Sequence, residues 1–415
     1  MAIRNRMCPD TRAAAIMRDL HCAHARFVWN LAVEQQSWWR PGRGKAPGDA
    51  GRQRQLAEAR AGEPWLRAGS SSVQQQALRD FDKAMAAFFD PGNPAGRPGF
   101  RSRRGVQGFV IRDTKTRRVS RKQGEVYVPK CGWVRFRWTR PLPDKPAMAR
   151  VTLDRAGRWH VSFPAPQPTV KRTPSGSAIG IDRGVRTALV TSGGQHYRAP
   201  RVSARDAARH LGLQQQMSRQ RIGSRRREKT RFAMARITAR VTDRRRDWAE
   251  KISTRLVREH DLIVLEKLNT AGMVRRPAAR PDPERAGAFL PNRASAKAGL
   301  NRGILASCWG ILGRRLEQKA AASGCRVVYV SPRFTSQQCR ACGHIASSSR
   351  ESQAVFRCVN CGHADHADAN AARNILARGL SLADGEPVPA RARGQAGLRP
   401  RKTGKPAAGT TRSAA

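Results

Sequence analysis

The chain has 415 residues and carries 80 Lys and Arg side chains against 30 Asp and Glu, a formal net charge of +50. This length is typical of roughly two or three domains with buried cores. A charge of this size opposes compaction unless a polyanion neutralises it, so nucleic acid is the expected partner. Basic runs recur in several segments, which argues against a merely solvated surface, and no amphipathic anchor or lipidation signal favours a membrane.

The sequence contains no recognisable signal peptide or membrane-spanning segment, because the apolar runs LIVL and VVYV are only of strand length. Nine cysteines in a chain without an export signal indicate reduced thiols or metal ligands rather than disulfides. We therefore expect a cytoplasmic protein that works close to the chromosome. The pattern does not indicate an oligomeric state.

From Pro9 to Phe89 the pattern is helical. ARFVWNLAVEQQSWW carries apolar residues at helical spacing, and SSSVQQQALRDFDKAMAAFF begins with Ser72 and Gln75 at capping-box spacing. DPGNPAGRPG ends this helix, and FRSRR follows as a basic loop. The short start, MAIRNRMCP, is expected to leave little room for a strand.

Four aromatic residues of this region are candidates for stacking on nucleic-acid bases: Trp38, Trp39, Phe88 and Phe89. For the two phenylalanines, packing in the core is the favoured interpretation. The apolar face of their helix is expected to contain Val73, Ala77, Phe81, Ala84 and Phe88.

Between Gly124 and Ala165 the apolar period changes to two. In GWVRFRWTR, apolar residues alternate with arginines, so one strand face is apolar and the other cationic. ARVTLDRAGRWHVSFPA predicts a hairpin whose Trp159, Val161 and Phe163 face inward. A small antiparallel barrel or curled sheet would cover these strands.

After the linker PQPTVKRTPSGS, the segment AIGIDRGVRTALVTSGG predicts a second hairpin and a new domain. An Arg-rich helical stretch over 203–259, the short buried strand DLIVLEKLN, a flexible connector, a helix over 300–323 and the strand CRVVYV follow. Beyond residue 380 the tail lacks periodicity and is expected to be disordered.

Four cysteines form two close pairs with 15 residues between them: Cys339, Cys342, Cys358 and Cys361. This zinc-ribbon spacing supplies four thiolates to one tetrahedral Zn²⁺. A glycine follows each second cysteine, where the chain must turn tightly. His344 and His363 are expected to be turn residues, because four cysteines already complete the coordination sphere. A closed sphere leaves no position for water, so we predict a single structural zinc.

Three acidic residues stand at the ends or starts of predicted elements. Asp182 ends the strand AIGID, Glu266 ends the strand LIVLE, and Asp368 precedes the helix start ANAARNIL. Converging carboxylates repel one another and favour hard divalent cations such as Mg²⁺. Two such ions stabilise the attacking and the leaving oxygen of a phosphodiester. Taken singly, each acid is more often a turn residue or a cap.

The chain resembles the TnpB/OrfB family of transposon-encoded proteins, relatives of the compact type V CRISPR nucleases. IGIDRGVRTALVTSGG, IVLEKLNTAGM and ADANAARNIL are similar to the three RuvC motifs of that family. SPRFTSQQCRACGH and SQAVFRCVNCGH are similar to its zinc ribbon, and ARFVWNLAVEQ with QQQALRDFDKA to its helical amino-terminal region. The resemblance covers nearly all of residues 9–379.

The resemblance implies an α/β multidomain fold: an RNase H-like (RuvC) mixed sheet with helices, interrupted by a zinc ribbon and preceded by a small β-barrel carrying a helical insertion. The implied units are a helical recognition region with the first barrel strand (1–105), a wedge-like barrel (106–170) and the nuclease with its first two motifs (175–336). The ribbon (337–363), the third-motif helix (364–380) and a disordered basic tail (381–415) follow.

The resemblance also implies that Asp182, Glu266 and Asp368 are catalytic and hold two Mg²⁺ ions. Asp368 is preferred over Asp365 because it keeps the Asp-x-Asn-Ala-Ala register of the third motif. At two positions the chain departs from many relatives by adding positive charge near the metals without removing a ligand: Arg183 and Lys267.

The function implied is that of an RNA-guided DNA endonuclease encoded by a transposable element. Its partners would be a guide RNA and double-stranded DNA, with a short flanking motif read by the protein. Three alternatives stay open. A transposase would use the same acids for strand joining, and a guided binder that does not cut is expected to have lost an acid. A zinc-ribbon transcription or RNA-binding factor would leave the acids unexplained.

Overall fold

The computed structural model describes residues 2–38, 42, 47–144, 146–167, 169–285 and 287–383. Trp39 and residues 384–415 of the predicted disordered tail lie outside the described residues. Residues 381–383, predicted to belong to that tail, are helical. Across these ranges, every helix is too short or too polar to cross a membrane.

The amino-terminal region is a strand followed by a group of helices. β1 (Ala2–Arg6) pairs with a later strand along its whole length, so the expectation that the short start leaves little room for a strand is wrong. One π-helical turn lies between the first two helices. The elements are α1 (Thr11–Ala15), the π-helical turn (Ile16–Cys22), α2 (Ala23–Ser37), α3 (Asp49–Gly62), α4 (Pro64–Ala68) and α5 (Ser71–Phe89).

Helix α5 buries the apolar face that its periodicity predicted, including Val73, Ala77 and Phe81. Its N-cap is Ser70, two residues before the predicted Ser72, and no side chain caps it. Phe88 and Phe89 at its end are 36% and 68% exposed, so the expectation of core packing is wrong for both, as is the place of Phe88 on the buried face.

Two antiparallel sheets form the next region. A four-stranded sheet has the order β1-β7-β6-β2, and a three-stranded sheet has the order β3-β4-β5. A single bridge pairs Met7 with Phe136, whose ring lies 5.6 Å from that of Phe163. The sheets therefore share one core, while a closed barrel stays a prediction. The strands are β2 (Gln107–Arg112), β3 (Thr116–Ser120), β4 (Gln123–Val128), β5 (Gly132–Arg137), β6 (Met148–Leu153) and β7 (Trp159–Pro164).

A five-stranded mixed sheet forms the centre of the second half of the chain. Its order is β10-β9-β8-β11-β12, which in chain order is 3-2-1-4-5. The first three strands are antiparallel, and β8, β11 and β12 run parallel. The two predicted strands and the predicted hairpin are confirmed. The strands are β8 (Ala178–Asp182), β9 (Leu189–Thr191), β10 (His196–Tyr197), β11 (Leu262–Glu266) and β12 (Arg326–Val330).

The helices of this half are shorter than predicted. The stretch 203–259 is two helices, because the chain turns at Gly223 with a φ of +86°. The stretch 300–323 is also divided, at Cys308, which has a φ of +64°. The helices are α6 (Ala204–Ser218), α7 (Arg225–Glu259), α8 (Thr270–Met273), α9 (Ala294–Ala306) and α10 (Trp309–Ser323).

Alternate residues of β11 point to opposite faces of the mixed sheet, as the period of a strand requires. Ile263 and Leu265 pack against α7 and α10 in one core. Leu262 and Val264 pack in a second core with Ile375 of the last helix, α11 (Ala367–Ala383). Helices on both faces therefore bury the whole of β11.

Two glycines bring α11 into direct contact with the sheet. A Cβ atom on Gly180 of β8 would overlap the backbone of α11 at Ala372 and Leu376. A Cβ atom on Gly379 of α11 would overlap the side chain of Val264 on β11. Only a residue without a side chain fits at these contacts, so α11 lies closer to the strands than any other residue there would permit.

We predict that Gly180→Ala destabilises the protein, because the added methyl group must push α11 away from β8. Overpacking of this kind costs about 1–3 kcal/mol, which for a domain of this size lowers Tm by roughly 2–4 °C per kcal/mol. Thermal unfolding followed by circular dichroism measures it. The matched control is Gly310→Ala in α10, where a Cβ has no neighbour within 4 Å. This control should be neutral or stabilising, and an equal loss in both variants would contradict the prediction.

Candidate active site and metal centre

The four predicted cysteines form one compact cluster. The Sγ atoms of Cys339 and Cys361 lie 3.7 Å apart, and those of Cys342 and Cys358 lie 3.6 Å apart. All four Sγ atoms fall within 4.8 Å of one another. A tetrahedron with Zn–S bonds of about 2.3 Å has S···S edges of about 3.8 Å, so the cluster fits a zinc site.

The two turns around the cluster are built alike. The N–H of Cys339 donates to the carbonyl of His344 at 2.8 Å, and the N–H of Cys358 donates to that of His363 at 2.9 Å. The glycines after the second cysteines have φ values of +75° and +72°. A backbone hydrogen bond at His344 lowers the pKa of Cys342 to about 6, which favours the thiolate that a metal needs. Both histidines are turn residues, as predicted.

The ribbon is joined directly to α11. Its strands β13 (Val355–Arg357) and β14 (Ala364–His366) pair, and α11 begins at the next residue. Asn370 on α11 accepts from the N–H of Arg340 at 3.0 Å and donates to the carbonyl of Gln338 at 2.8 Å. Asn374, one turn later, donates to the same Gln338 carbonyl at 2.7 Å. The cysteine-bearing loop therefore fixes the first two turns of α11.

The three predicted acids meet at one edge of the mixed sheet. Asp182 and Glu266 are the last residues of β8 and β11, which pair in parallel. Asp368 lies on the first turn of α11, which crosses the same strands. Carboxyl ends of parallel strands share one edge, so three residues distant in sequence become neighbours.

The charges of these acids affect one another. Burial, together with the charges of Glu266 and Asp368, raises the pKa of Asp182 from 3.8 to about 7. Burial also raises the pKa of Glu266, against the hydrogen bond from Thr335 and the charge of Arg183. Like charges gathered in a partly buried site disfavour ionisation unless a cation compensates them.

Each of the other two acids is held by a neighbouring side chain. The hydroxyl of Thr335, itself 3% exposed, donates to Glu266 Oε1 at 2.7 Å. The guanidinium of Arg350, which belongs to the ribbon, donates to Asp368 Oδ1 at 2.9 Å. Arg350 therefore compensates part of the charge of Asp368 through one of its two oxygens.

Asp365 is engaged differently from its neighbour Asp368. One of its oxygens is paired with Arg373 and the other accepts the N–H of His366 at 2.8 Å. The two residues that depart from the family pattern also differ. Arg183 donates to the backbone carbonyl of Glu266, beside the acids, whereas Lys267 is exposed.

The donor set fits hard divalent cations, because three carboxylates converge in a site where burial raises the pKa of two of them. Among the described residues, the four cysteines are the one group of Cys, His, Asp and Glu whose ligand atoms all lie within 4.8 Å. The oxygens of the three carboxylates therefore do not all lie within 4.8 Å of one another.

Sequence reasoning missed the residues that position these acids. Thr335 and Arg350 are a hydroxyl and a guanidinium in loops, with no local signal of their partners. Asn370 and Asn374 did carry a signal, since they are two asparagines one turn apart in a helix that is rich in Ala and Leu. Their burial, to 0% and 5% exposure, shows that this polar pair is internal.

Comparisons with known proteins identify the family of the chain. A family model described as "Probable transposase" (OrfB) matches residues 160–276, and one described as "Cas12f1-like, TNB domain" matches 309–375. The chain is 32% identical over 328 residues to the "Putative RNA-guided DNA endonuclease InsQ" of Escherichia coli (strain K12), covering 78% of each chain. It is also 32% identical over 395 residues to a "Putative RNA-guided DNA endonuclease" of Streptomyces pristinaespiralis, covering 92% of this chain and 89% of that one.

A solved structure, a Cas12f1–sgRNA–target DNA complex, is similar at 13% identity with a TM-score of 0.49, covering 88% of this chain and 82% of that one. The fold and the site define an α/β protein in which a four-cysteine ribbon supports a cluster of carboxylates. The extent and identity of the sequence matches show that the chain belongs to the TnpB/OrfB family.

We predict that Cys358→Ser lowers zinc content and thermal stability together, because a serine hydroxyl replaces one of four thiolates. Zinc per chain measured by mass spectrometry and Tm are the two readouts. Cys8→Ser is the control, since Cys8 is exposed and lies outside the cluster. Unchanged zinc content in the Cys358 variant would contradict a zinc ribbon.

We predict that Asp182→Asn stabilises the metal-free protein, and more at pH 8 than at pH 5. The folded-state pKa of Asp182 is raised to about 7. Between about pH 4 and 7 the folded carboxyl keeps a proton that the unfolded chain releases. The free energy of unfolding therefore falls as pH rises through this range. Asparagine has no charge to bury. Unfolding in chelator at both pH values tests this, with exposed Asp247→Asn as control, and a gain independent of pH would contradict it.

Proposed function

We propose that this chain is an RNA-guided DNA endonuclease that hydrolyses phosphodiester bonds next to a short flanking motif. The relatives that it matches over most of its length carry this activity in their printed names. The mixed sheet, with strands in the order 3-2-1-4-5, agrees with the RNase H-like class expected from its motifs. The partners proposed are a guide RNA and double-stranded DNA.

One observation supports hydrolysis above all. Asp182, Glu266 and Asp368 are 84 or more residues apart in sequence, yet their charges act on one another in space. A fold gains no stability from gathering acids in a partly buried site. Bound metal ions would compensate this repulsion and could act on a phosphate.

Mg²⁺ is the cation proposed, with two ions, because metal ions on both sides of a phosphate stabilise the entering and the leaving oxygen. The residues of the chain position the ligands. Thr335 orients Glu266 through its hydroxyl, and Gly180 lets α11 carry Asp368 to the strand ends. Arg350 balances the charge of Asp368.

Zinc is proposed to have a structural role: it holds the ribbon that supports the candidate active site. Asn370 and Asn374 tie α11 to the loop that contains Cys339. An intact ribbon therefore holds the helix that carries Asp368. Loss of zinc should loosen this acid without altering its chemistry.

Basic surfaces outside the site suit a nucleic-acid backbone. A cavity of about 760 Å³ lies where β1, β5 and β7 meet α7. One acid, Asp243, is among the residues that line it. The lining also contains four arginines and two aromatic residues: Arg6, Arg18, Arg137, Arg158, Trp159 and Phe232. Arginine and aromatic side chains together favour phosphates and bases.

A transposase remains the second candidate, because one matching family model carries that description. It would use the same acids but leave joined rather than merely cut DNA. Analysis of plasmid products by sequencing across the cut separates the two functions.

We predict that separate Asp182→Ala, Glu266→Gln and Asp368→Asn variants bind guide RNA and target but cleave at least about 100-fold more slowly, since metal clamping of a phosphate contributes several kcal/mol. The protein is co-expressed with RNA transcribed downstream of its gene and incubated with Mg²⁺ and plasmids bearing randomised flanks.

Asp365→Asn is the matched control, because Asp365 is an acid three residues from Asp368 that is paired with Arg373. It should retain cleavage within an order of magnitude. Parental activity in the Asp182→Ala variant would disprove the assignment of the acids. Equal loss in the Asp365 and Asp368 variants would show that the wrong acid of the third motif was chosen.

A further inference from the structure

An exposed phenylalanine, Phe100, stands between two firmly held backbone groups. On one side of it, the indole Nε1 of Trp29 donates to the carbonyl of Gly99 at 2.9 Å. On the other side, Asn30 accepts from the N–H of Arg101 at 2.7 Å and donates to its carbonyl at 3.2 Å. Both anchors lie on α2, so residues 97–104, here named the Phe100 loop, are fixed to a helix.

The ring of Phe100 itself is 66% exposed. Burying a phenylalanine side chain contributes about 1.5–3 kcal/mol, and Phe100 in this conformation forgoes most of that gain. A large apolar ring in water on a well-anchored loop is typical of a binding residue rather than of core packing. Because its backbone is already ordered, little conformational entropy is lost when it contacts a ligand.

The surroundings of Phe100 are strongly cationic. The Phe100 loop contains four arginines and no acid: Arg97, Arg101, Arg103 and Arg104. Arg101 lies over the ring of Trp29 at 3.3 Å and lines a cavity of about 220 Å³ together with Arg26 and Arg150. A polyanion is therefore attracted to the same surface that presents the aromatic ring.

Phe89 provides an internal comparison. It is 68% exposed, almost the same fraction as Phe100. Its ring is tilted against that of Phe88, with ring centroids 5.1 Å apart, and residues 84–94 around it contain no arginine or lysine. Exposure is thus shared by both residues, whereas an anchored backbone and a cationic border are found at Phe100. The stacking role that the sequence suggested for Phe89 therefore lacks the cationic surroundings that Phe100 has.

We propose that the Phe100 loop is a base-stacking element. The ring of Phe100 contacts the face of an unpaired nucleobase, and the neighbouring arginines contact the phosphates of the same strand. Stacking on an aromatic side chain is tolerant of sequence, because every base has a π-face. The inference rests on the proposed nucleic-acid function and adds to it a residue outside the metal site. It names single-stranded nucleic acid as the ligand of this surface.

The test uses the full chain and short single-stranded oligonucleotides, one of DNA and one of RNA, each with 2-aminopurine among thymines or uridines. Phe100→Ala should weaken binding about fivefold or more and remove the change in 2-aminopurine emission. Phe100→Tyr should keep both, whereas Phe100→Leu, which retains apolar bulk without a π-face, should behave like alanine. The arm that responds, DNA or RNA, identifies the strand.

Phe89→Ala is the matched control and should bind like the parent. Binding by Phe100→Ala equal to that of the parent would overturn the proposal, as would an equal loss in the Phe89 variant or full rescue by leucine. If the parental chain binds neither oligonucleotide, the stacking proposal fails, whereas the proposed nuclease function is decided separately by the plasmid-cleavage assay. If it binds and cleaves but Phe100 makes no difference, only the stacking role fails.

Discussion

The direct contact of α11 with β8 is the constraint on which the candidate site depends. Gly180 lies two residues before Asp182 on the same strand, and α11 carries Asp368. Because no side chain separates helix and strand at Gly180, the two acids are placed by the same contact that closes the core. A second close approach, Gly379 against Val264 of β11, adds the strand that ends in Glu266. The same packing contacts therefore stabilise the core and position the acids.

The charge balance around the acids is unusual for this chain. Arginine and lysine outnumber acids by 80 to 30, yet burial and mutual repulsion raise the pKa of Asp182 to about 7. Excess positive charge elsewhere does not offset this locally, because most of it is solvated and screened. The compensation at the site comes from Arg350, which donates to Asp368 Oδ1, and from Arg183, which donates to the backbone carbonyl of Glu266. In the absence of a cation, protonation of Asp182 relieves the remaining repulsion.

Much of this arrangement could be predicted from sequence, but not all of it. Cys339, Cys342, Cys358 and Cys361 have a diagnostic spacing because one metal needs four ligands at fixed distance. The acids were indicated by strand ends and a helix start, but their selection as a set came from the resemblance of the surrounding motifs to those of the TnpB/OrfB family. The breaks at Gly223 and Cys308 were missed, since the helical periodicity continues on both sides of a single turn. The partners of the acids, Thr335 and Arg350, were missed because loop residues that meet through tertiary folding leave no periodic trace.

The late position of α11 in the chain has a consequence for biosynthesis. Domains generally fold from the amino terminus while the ribosome elongates at about 5–20 residues per second. The face of β8 and β11 that α11 covers stays bare until residues 367–383 emerge. Until then the nascent chain lacks its third acid and exposes an apolar sheet surface. A product that ended before residue 367 would leave this surface uncovered and prone to aggregation.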